Sequence, residues 1–352
     1  MRARQRLAGV TLLATLASGC TLDKGPVGPL STAFDRAAEE SSVPLVLHLV
    51  APQVTDPAID RFLDAHYVWL DTTAQSQHRL LVFMPGTGQR PAQFQLIEQE
   101  AARLGFHVIG LEYVNSGGLA KVCPLAPDPT ACFEDARLEI IDGVDRTTIV
   151  NVTPTNSIDN RLAKLLGYLA INYPDEGWAQ FLDEEGGSKW PLIAVSGLSV
   201  GGGEAAMIAR VRLVDRVLMF SAVPDSIGDE SVSWVGSPHV TPVNRYYGLV
   251  HDRDAFFPVF QAAWDSLGLA VFGPAVAVET SEAPYGWTHE LYTDLTPVGG
   301  FIGQAAHAST ATDAATPLAP DGTPLLRNAW RYMLTASPRR PGADAAIAVA
   351  RE

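Results

Sequence analysis

Basic residues are scarce in this chain: 25 Lys and Arg stand against 39 Asp and Glu, giving a formal net charge of −14, and no basic run occurs outside the extreme N-terminus. That balance excludes a phosphate-tracking nucleic-acid binder and electrostatic docking on anionic lipid; an acidic surface of this kind serves solubility. Cysteine is scarcer still, with three in 352 residues. Cys123 and Cys132 have no second ligand pair, which excludes a zinc site, and neither has the helix-plus-histidine setting of a reactive thiol. The apolar stretch 7–18 is too short to span a bilayer, and no internal repeat marks a solenoid. What is abundant is apolar: 47% hydrophobic against 18% charged residues, enough for one large α/β domain with a sizeable core.

From about residue 43 short apolar runs alternate with amphipathic stretches. Residues 45–50, 66–70, 80–84, 106–113, 190–195, 216–221, 246–250 and 275–278 read as strands, about eight in all. Pro91 opens a helix whose apolar face is Phe94, Ile97, Ala101 and Leu104, stopped by Gly105. Ser157 caps another, carrying Leu162, Leu165, Leu166 and Leu169, and a last helix covers residues 325–334. Strand–helix alternation implies a mostly parallel, doubly wound sheet with helices on both faces. Two stretches, 115–155 and 281–306, leave from the strand ends where ligands bind in such sheets, so they are candidates for a cap or for substrate-pocket walls.

Gly197-Leu198-Ser199-Val200-Gly201 is a G-x-S-x-G motif placed where the strand from Trp190 runs into a small-residue helix start. That context is a nucleophile elbow, a strained turn that exposes the serine hydroxyl above the sheet. On these residues the chain resembles the α/β-hydrolase family across roughly 43–336. The resemblance implies a Ser, then Asp or Glu, then His order, with the histidine in the last loop before the final helix. His307 holds that position, and His289 looks like an insertion residue. Asp254-Ala255-Phe256-Phe257-Pro258 resembles the family's aspartate-plus-apolar turn and makes Asp254 the chosen acid, with Asp252 and Asp225 open as alternatives. With Asp254 as the acid, Asp225→Asn is expected to change activity little.

The resemblance also implies an oxyanion hole of two backbone donors: the Val200 N–H, and Thr87 by position in Pro85-Gly86-Thr87-Gly88, which stands where the family often has His-Gly. It implies no metal or organic cofactor. The expected activity is an acyl-enzyme ester hydrolase on a small-molecule, lipid or polymer ester; peptidase, thioesterase or lipase chemistry and a catalytically silent binding protein are the alternatives. The sequence leaves the oligomeric state open.

Arg2, Arg4 and Arg6, then residues 7–18, then Ala17-Ser18-Gly19-Cys20 resemble a bacterial lipoprotein signal, in which Cys20 is lipidated. The pattern departs from that family at Ala17, where leucine is usual, so ordinary signal-peptidase cleavage is the alternative. Loss of the segment takes the formal charge from −14 to −17. Thr21 after the cysteine resembles outer-membrane sorting in a Gram-negative host. Residues 21–43 then read as a flexible tether, 44–336 as the domain and 337–352 as a disordered tail. In an oxidising compartment Cys123 and Cys132 are expected to pair.

Overall fold

Among the described residues nine strands form the central sheet: β1 (Val46–Val50), β2 (His66–Leu70), β3 (Leu80–Met84), β4 (His107–Gly110), β5 (Ile193–Leu198), β6 (Arg216–Phe220), then, beyond a two-stranded hairpin of β7 (Ser226–Ile227) and β8 (Glu230–Ser231), β9 (Tyr246–His251), β10 (Val276–Ala277) and β11 (Glu290–Thr293). The computed structural model describes residues 44–338. The stretches expected to be a signal segment ending at Cys20, a tether over 21–43 and, beyond residue 338, a tail lie outside the described residues. Strand order is β1-β2-β4-β3-β5-β6-β9-β11-β10. β2 pairs antiparallel with β1 and β4, and every other pair in the sheet is parallel. This is the α/β-hydrolase fold.

The helices are α1 (Pro52–Thr55), α2 (Gln95–Arg103), α3 (Leu119–Val122), α4 (Pro129–Asp142), α5 (Ile158–Asn172), α6 (Val200–Val211), α7 (Ser233–Gly236), α8 (Phe257–Leu267), α9 (Ala305–Ala308) and α10 (Arg327–Thr335). Successive side chains of a strand point to opposite faces, and β3 divides accordingly. Leu80, Val82 and Met84 enter one core with α4, α5, α6 and α8, while Leu81 and Phe83 enter the other with α2 and α10. A strand buried on both faces has no polar alternation, which is why β3 reads as a continuous apolar run.

Several boundaries move. The strand expected from Trp190 starts at Ile193, because Trp190–Leu192 is a 3₁₀ turn built around Pro191, a residue that cannot donate to a ladder. β4 stops at Gly110 rather than 113, where the chain leaves the sheet for the loop carrying Asn115. The strand near 275–278 shrinks to the edge pair Val276–Ala277, and Glu290–Thr293, hidden in the stretch taken for an insertion, lies between it and β9. Within the stretch 115–155, α4 contributes Phe133, Ala136, Ile140 and Ile141 to the core shared with α5 and α6. Asp128 caps α4 by accepting from the Ala131 N–H, and Gly143, at φ 78°, ends it.

Cys123 and Cys132 are disulfide-bonded, with Cα atoms 5.4 Å apart, so the bond pins the chain ahead of α4 to that helix's first turn. Both are buried. Opening a loop this short is expected to lower stability by about 2.5–3 kcal/mol through gained chain entropy. Urea unfolding of wild type and of a Cys123→Ser/Cys132→Ser variant measures it, and equal midpoints would show that the bond constrains nothing.

Candidate active site

Ser199 is the residue between β5 and α6, with φ 55° and ψ −117°. A non-glycine residue at positive φ is strained, and the neighbouring backbone fixes it there. Its N–H donates to the Phe220 carbonyl of β6 at 2.9 Å, and its carbonyl accepts from Gly203 at 3.0 Å. The glycines of the motif answer to close approach: a Cβ on Gly201 would lie 2.0 Å from the Met84 carbonyl oxygen, and one on Gly197 2.5 Å from the same atom. Strand β3 and helix α6 therefore meet backbone to backbone, and Ser199 stands half-buried at the edge where the parallel strands end.

Asp254 lies in the turn after β9, two strands from β5 in the sheet. Its side chain is buried; Oδ1 accepts from the Phe256 N–H at 3.0 Å, and Oδ2 faces Nδ1 of His307 at 2.8 Å. The acceptor carboxylate places the proton on Nδ1 and leaves the lone pair on Nε2. His307 sits in the one-turn helix α9, its ring beside Phe256 and Phe260 at centroid distances of 6.0 and 5.9 Å. Its carbonyl accepts from Ser221 Oγ at 3.0 Å, which ties α9 to the end of β6, the strand whose Phe220 holds the Ser199 amide. Ser199 Oγ and His307 Nε2 make no hydrogen bond to each other in this structure. In free enzymes that contact is often long and closes with substrate.

The other two aspartates are engaged elsewhere. Asp225 is fully buried against Arg137, with contacts of 2.7 and 2.5 Å, and accepts from Trp234 Nε1 at 3.0 Å. Breaking such a pair from one side strands a buried charge, so Asp225→Asn, expected from the sequence to change activity little, should in addition destabilise the fold. Asp252 is more than a third exposed and lies 3.0 Å from His251 Nδ1.

His289 is remote from this constellation. It is buried, hydrogen-bonded through Nδ1 to the Tyr246 carbonyl at 2.7 Å, and stacked between Tyr247 and Phe272 at 4.2 and 3.8 Å. Burial pulls it down to about 4, the Tyr246 carbonyl opposing. Folded His289 therefore stays neutral where the unfolded chain binds a proton. Its stabilising contribution is complete above about 6.5 and is lost as the pH falls from there toward 4. Urea unfolding at pH 7 and pH 4.5 should show a smaller acid loss in His289→Gln than in wild type; parallel losses would refute it.

The loop after β3 carries Thr87, expected from the sequence to be the second donor. Gly86 lies against Ser199, since a Cβ there would be 3.5 Å from Ser199 Cβ. Gln89 N–H closes the turn on the Gly86 carbonyl at 3.0 Å, and Tyr113 donates its hydroxyl to the Pro85 carbonyl at 2.7 Å. Asn115, buried, clamps the same loop: its Oδ1 and carbonyl accept from Gly88 at 3.2 and 3.3 Å, and its Nδ2 donates to the Gln89 carbonyl at 2.9 Å. Thr87 is exposed, and among the described residues its amide has no recorded partner. Val200, first residue of α6, has an amide with no acceptor inside its helix.

Asn115, Arg137 and Glu204 are the residues around this site that sequence reasoning did not single out. Their only sequence signal is polarity inside apolar stretches, which surface helices share. Among the described residues no cluster of metal-ligating side chains occurs.

No protein-family model matches the chain, and no curated protein does. Among solved structures the chain is similar to a bacterial heroin esterase, at 17% identity over 87% of this chain and 85% of that one, with a TM-score of 0.38. It is also similar to a dienelactone hydrolase from Anabaena variabilis, at 14% identity over 71% of this chain and 85% of that one, TM-score 0.32. At these scores neither neighbour bears on what this chain does.

Proposed function

We propose that the protein is a serine hydrolase that cleaves a carboxylic ester through an acyl-enzyme, with Ser199 as nucleophile, His307 as general base and acid, and Asp254 as its partner. The observation that supports it most is the buried Asp254–His307 contact of 2.8 Å, on the same strand-end edge of the sheet as the strained Ser199. A serine hydroxyl is a weak nucleophile until an imidazole removes its proton. In this reading Nε2 of His307 takes that proton as Oγ bonds to the ester carbonyl carbon, and Asp254 holds the resulting imidazolium. The carbonyl oxygen becomes an oxyanion facing the Val200 and Thr87 amides. Collapse breaks the bond to the alcohol oxygen, which leaves with the proton from Nε2. Water, deprotonated by the same nitrogen, then releases the acid and restores Ser199.

A panel of p-nitrophenyl esters of graded chain length, with fluorophosphonate labelling of purified protein, tests this. Turnover with labelling at Ser199 supports it and reads the acyl preference. A folded protein that does neither is a silent binding protein on the same fold.

The protein is also read as exported and lipid-anchored at Cys20, on the strength of Arg2, Arg4, Arg6 and the apolar segment behind them, and a disulfide suits such a compartment. Cys20→Ser should move the chain from the membrane fraction to the soluble one. Unchanged partitioning would refute the anchor.

A further inference from the structure

The first turns of α6 are gripped by a charge cluster that the ester mechanism does not use. Arg137 of α4 is fully buried, as are Asp225 and Glu204. Four of its five N–H groups are placed. Nε donates to Asp225 Oδ2 at 2.7 Å and Nη2 to Oδ1 at 2.5 Å, while Nη1 donates to Glu204 Oε1 at 2.9 Å and to the Val200 carbonyl at 3.1 Å. Trp234 backs Asp225 through Nε1, and its ring centroid lies 6.0 Å from the guanidinium carbon.

Two features set this cluster apart from an ordinary buried ion pair. It holds the nucleophile helix at two points, the carbonyl of the residue directly after Ser199 and the side chain of Glu204 one turn on. The helix surface is also cut away to admit it, since a Cβ on Gly203 would lie 2.2 Å from Nη2. Buried ion pairs seldom outdo apolar packing in stability, and their best-attested use is to fix one geometry. The planar arginine fork is suited to that, because two parallel hydrogen bonds set orientation as well as distance.

We propose that Arg137 is a positioning residue for Ser199, holding the first turn of α6 and with it the direction in which the serine hydroxyl meets the acyl carbon. The proposal rests on Ser199 being the nucleophile. Burial pushes Glu204 up to about 8, with the Arg137 guanidinium opposing the shift. The remaining titratable group facing the cluster, the Tyr113 hydroxyl, is raised by burial and held on the Pro85 carbonyl.

The test reads stability and chemistry separately in the full-length mature protein. Arg137→Lys keeps the charge and loses the fork; Arg137→Met/Asp225→Asn removes both charges at similar volume. For each, the thermal midpoint, kcat and KM on a p-nitrophenyl ester, and the rate constant of fluorophosphonate labelling are measured. Both variants should lose about 10- to 100-fold in kcat and labelling rate, the effect of a small misplacement of a reacting group, with KM within about twofold. The double variant should recover the midpoint lost by Arg137→Met alone without recovering the rate. A variant of either kind that labels at the wild-type rate overturns the proposal. If neither folds, Gly203→Ala displaces Nη2 at unchanged charge and must slow labelling; a wild-type rate there also overturns it. A wild-type protein not labelled at Ser199 is a different result, the failure of the nucleophile assignment itself.

Discussion

Ser199→Ala should yield a folded protein whose ester turnover is lower by on the order of 10⁴-fold or more and which takes up no fluorophosphonate. The size follows from the chemistry: without Oγ no acyl-enzyme forms, and what is left is the background reaction helped by binding and the oxyanion donors. Stability should change by less than about 0.5 kcal/mol, because the strained backbone of the elbow is held by its neighbours rather than by the side chain. The Ser199 amide on Phe220, the Gly203 amide on Ser199 and the glycine contacts with Met84 all survive the change. Kinetics on a p-nitrophenyl ester, a labelling gel and thermal unfolding together decide it. Labelling that persists in the alanine variant would place the nucleophile elsewhere.

The elbow was legible in the sequence because its geometry admits few residues. Gly197 and Gly201 lie where a Cβ would run into the Met84 carbonyl, so the backbone crossing of β3 and α6 writes itself as glycine at fixed spacing. The buried strands were legible for a related reason: β3, β5 and β6 are covered on both faces and tolerate almost nothing polar. Where reading failed, tertiary partners had overridden local appearance. α4 carries Glu134, Asp135, Arg137 and Glu139 among its apolar residues and looks like a solvated loop or surface helix, yet Arg137 and Glu139 are buried, Arg137 on the Asp225 and Glu204 carboxylates and Glu139 on the amides of Arg146, Thr147 and Val152. β11 begins with the buried Glu290 and is four residues long, too short and too polar at its start to stand out from the Gly- and Pro-rich stretch around it. Asp225 illustrates the same limit inside the site, since nothing in the chain around it announces that its carboxylate belongs to Arg137.

Asp254→Asn should keep the fold and lower kcat by about 10³- to 10⁴-fold. An asparagine can still accept the Phe256 N–H through its carbonyl oxygen, but the atom facing Nδ1 of His307 becomes an NH₂ donor. Nδ1 must then be the acceptor, the ring proton moves to Nε2, and the nitrogen meant to receive the Ser199 proton no longer has a lone pair to offer. The charge that balances the imidazolium is lost in the same step. Asp252→Asn should be mild, because its side chain is 37% exposed and forms no contact with His307. Asp225→Asn is the informative control, since it breaks a buried pair and is expected to lower stability by about 3–5 kcal/mol. Its activity must therefore be compared per folded molecule, at a temperature well below its own unfolding midpoint. On that basis the Asp254 variant should be the one with near wild-type stability and collapsed kcat, and the Asp225 variant the one with low stability and a smaller loss of kcat. An active, folded Asp254→Asn enzyme beside a stable but dead Asp252→Asn or Asp225→Asn one would move the acid to that residue, and the 2.8 Å contact between Asp254 and His307 would then be structural alone.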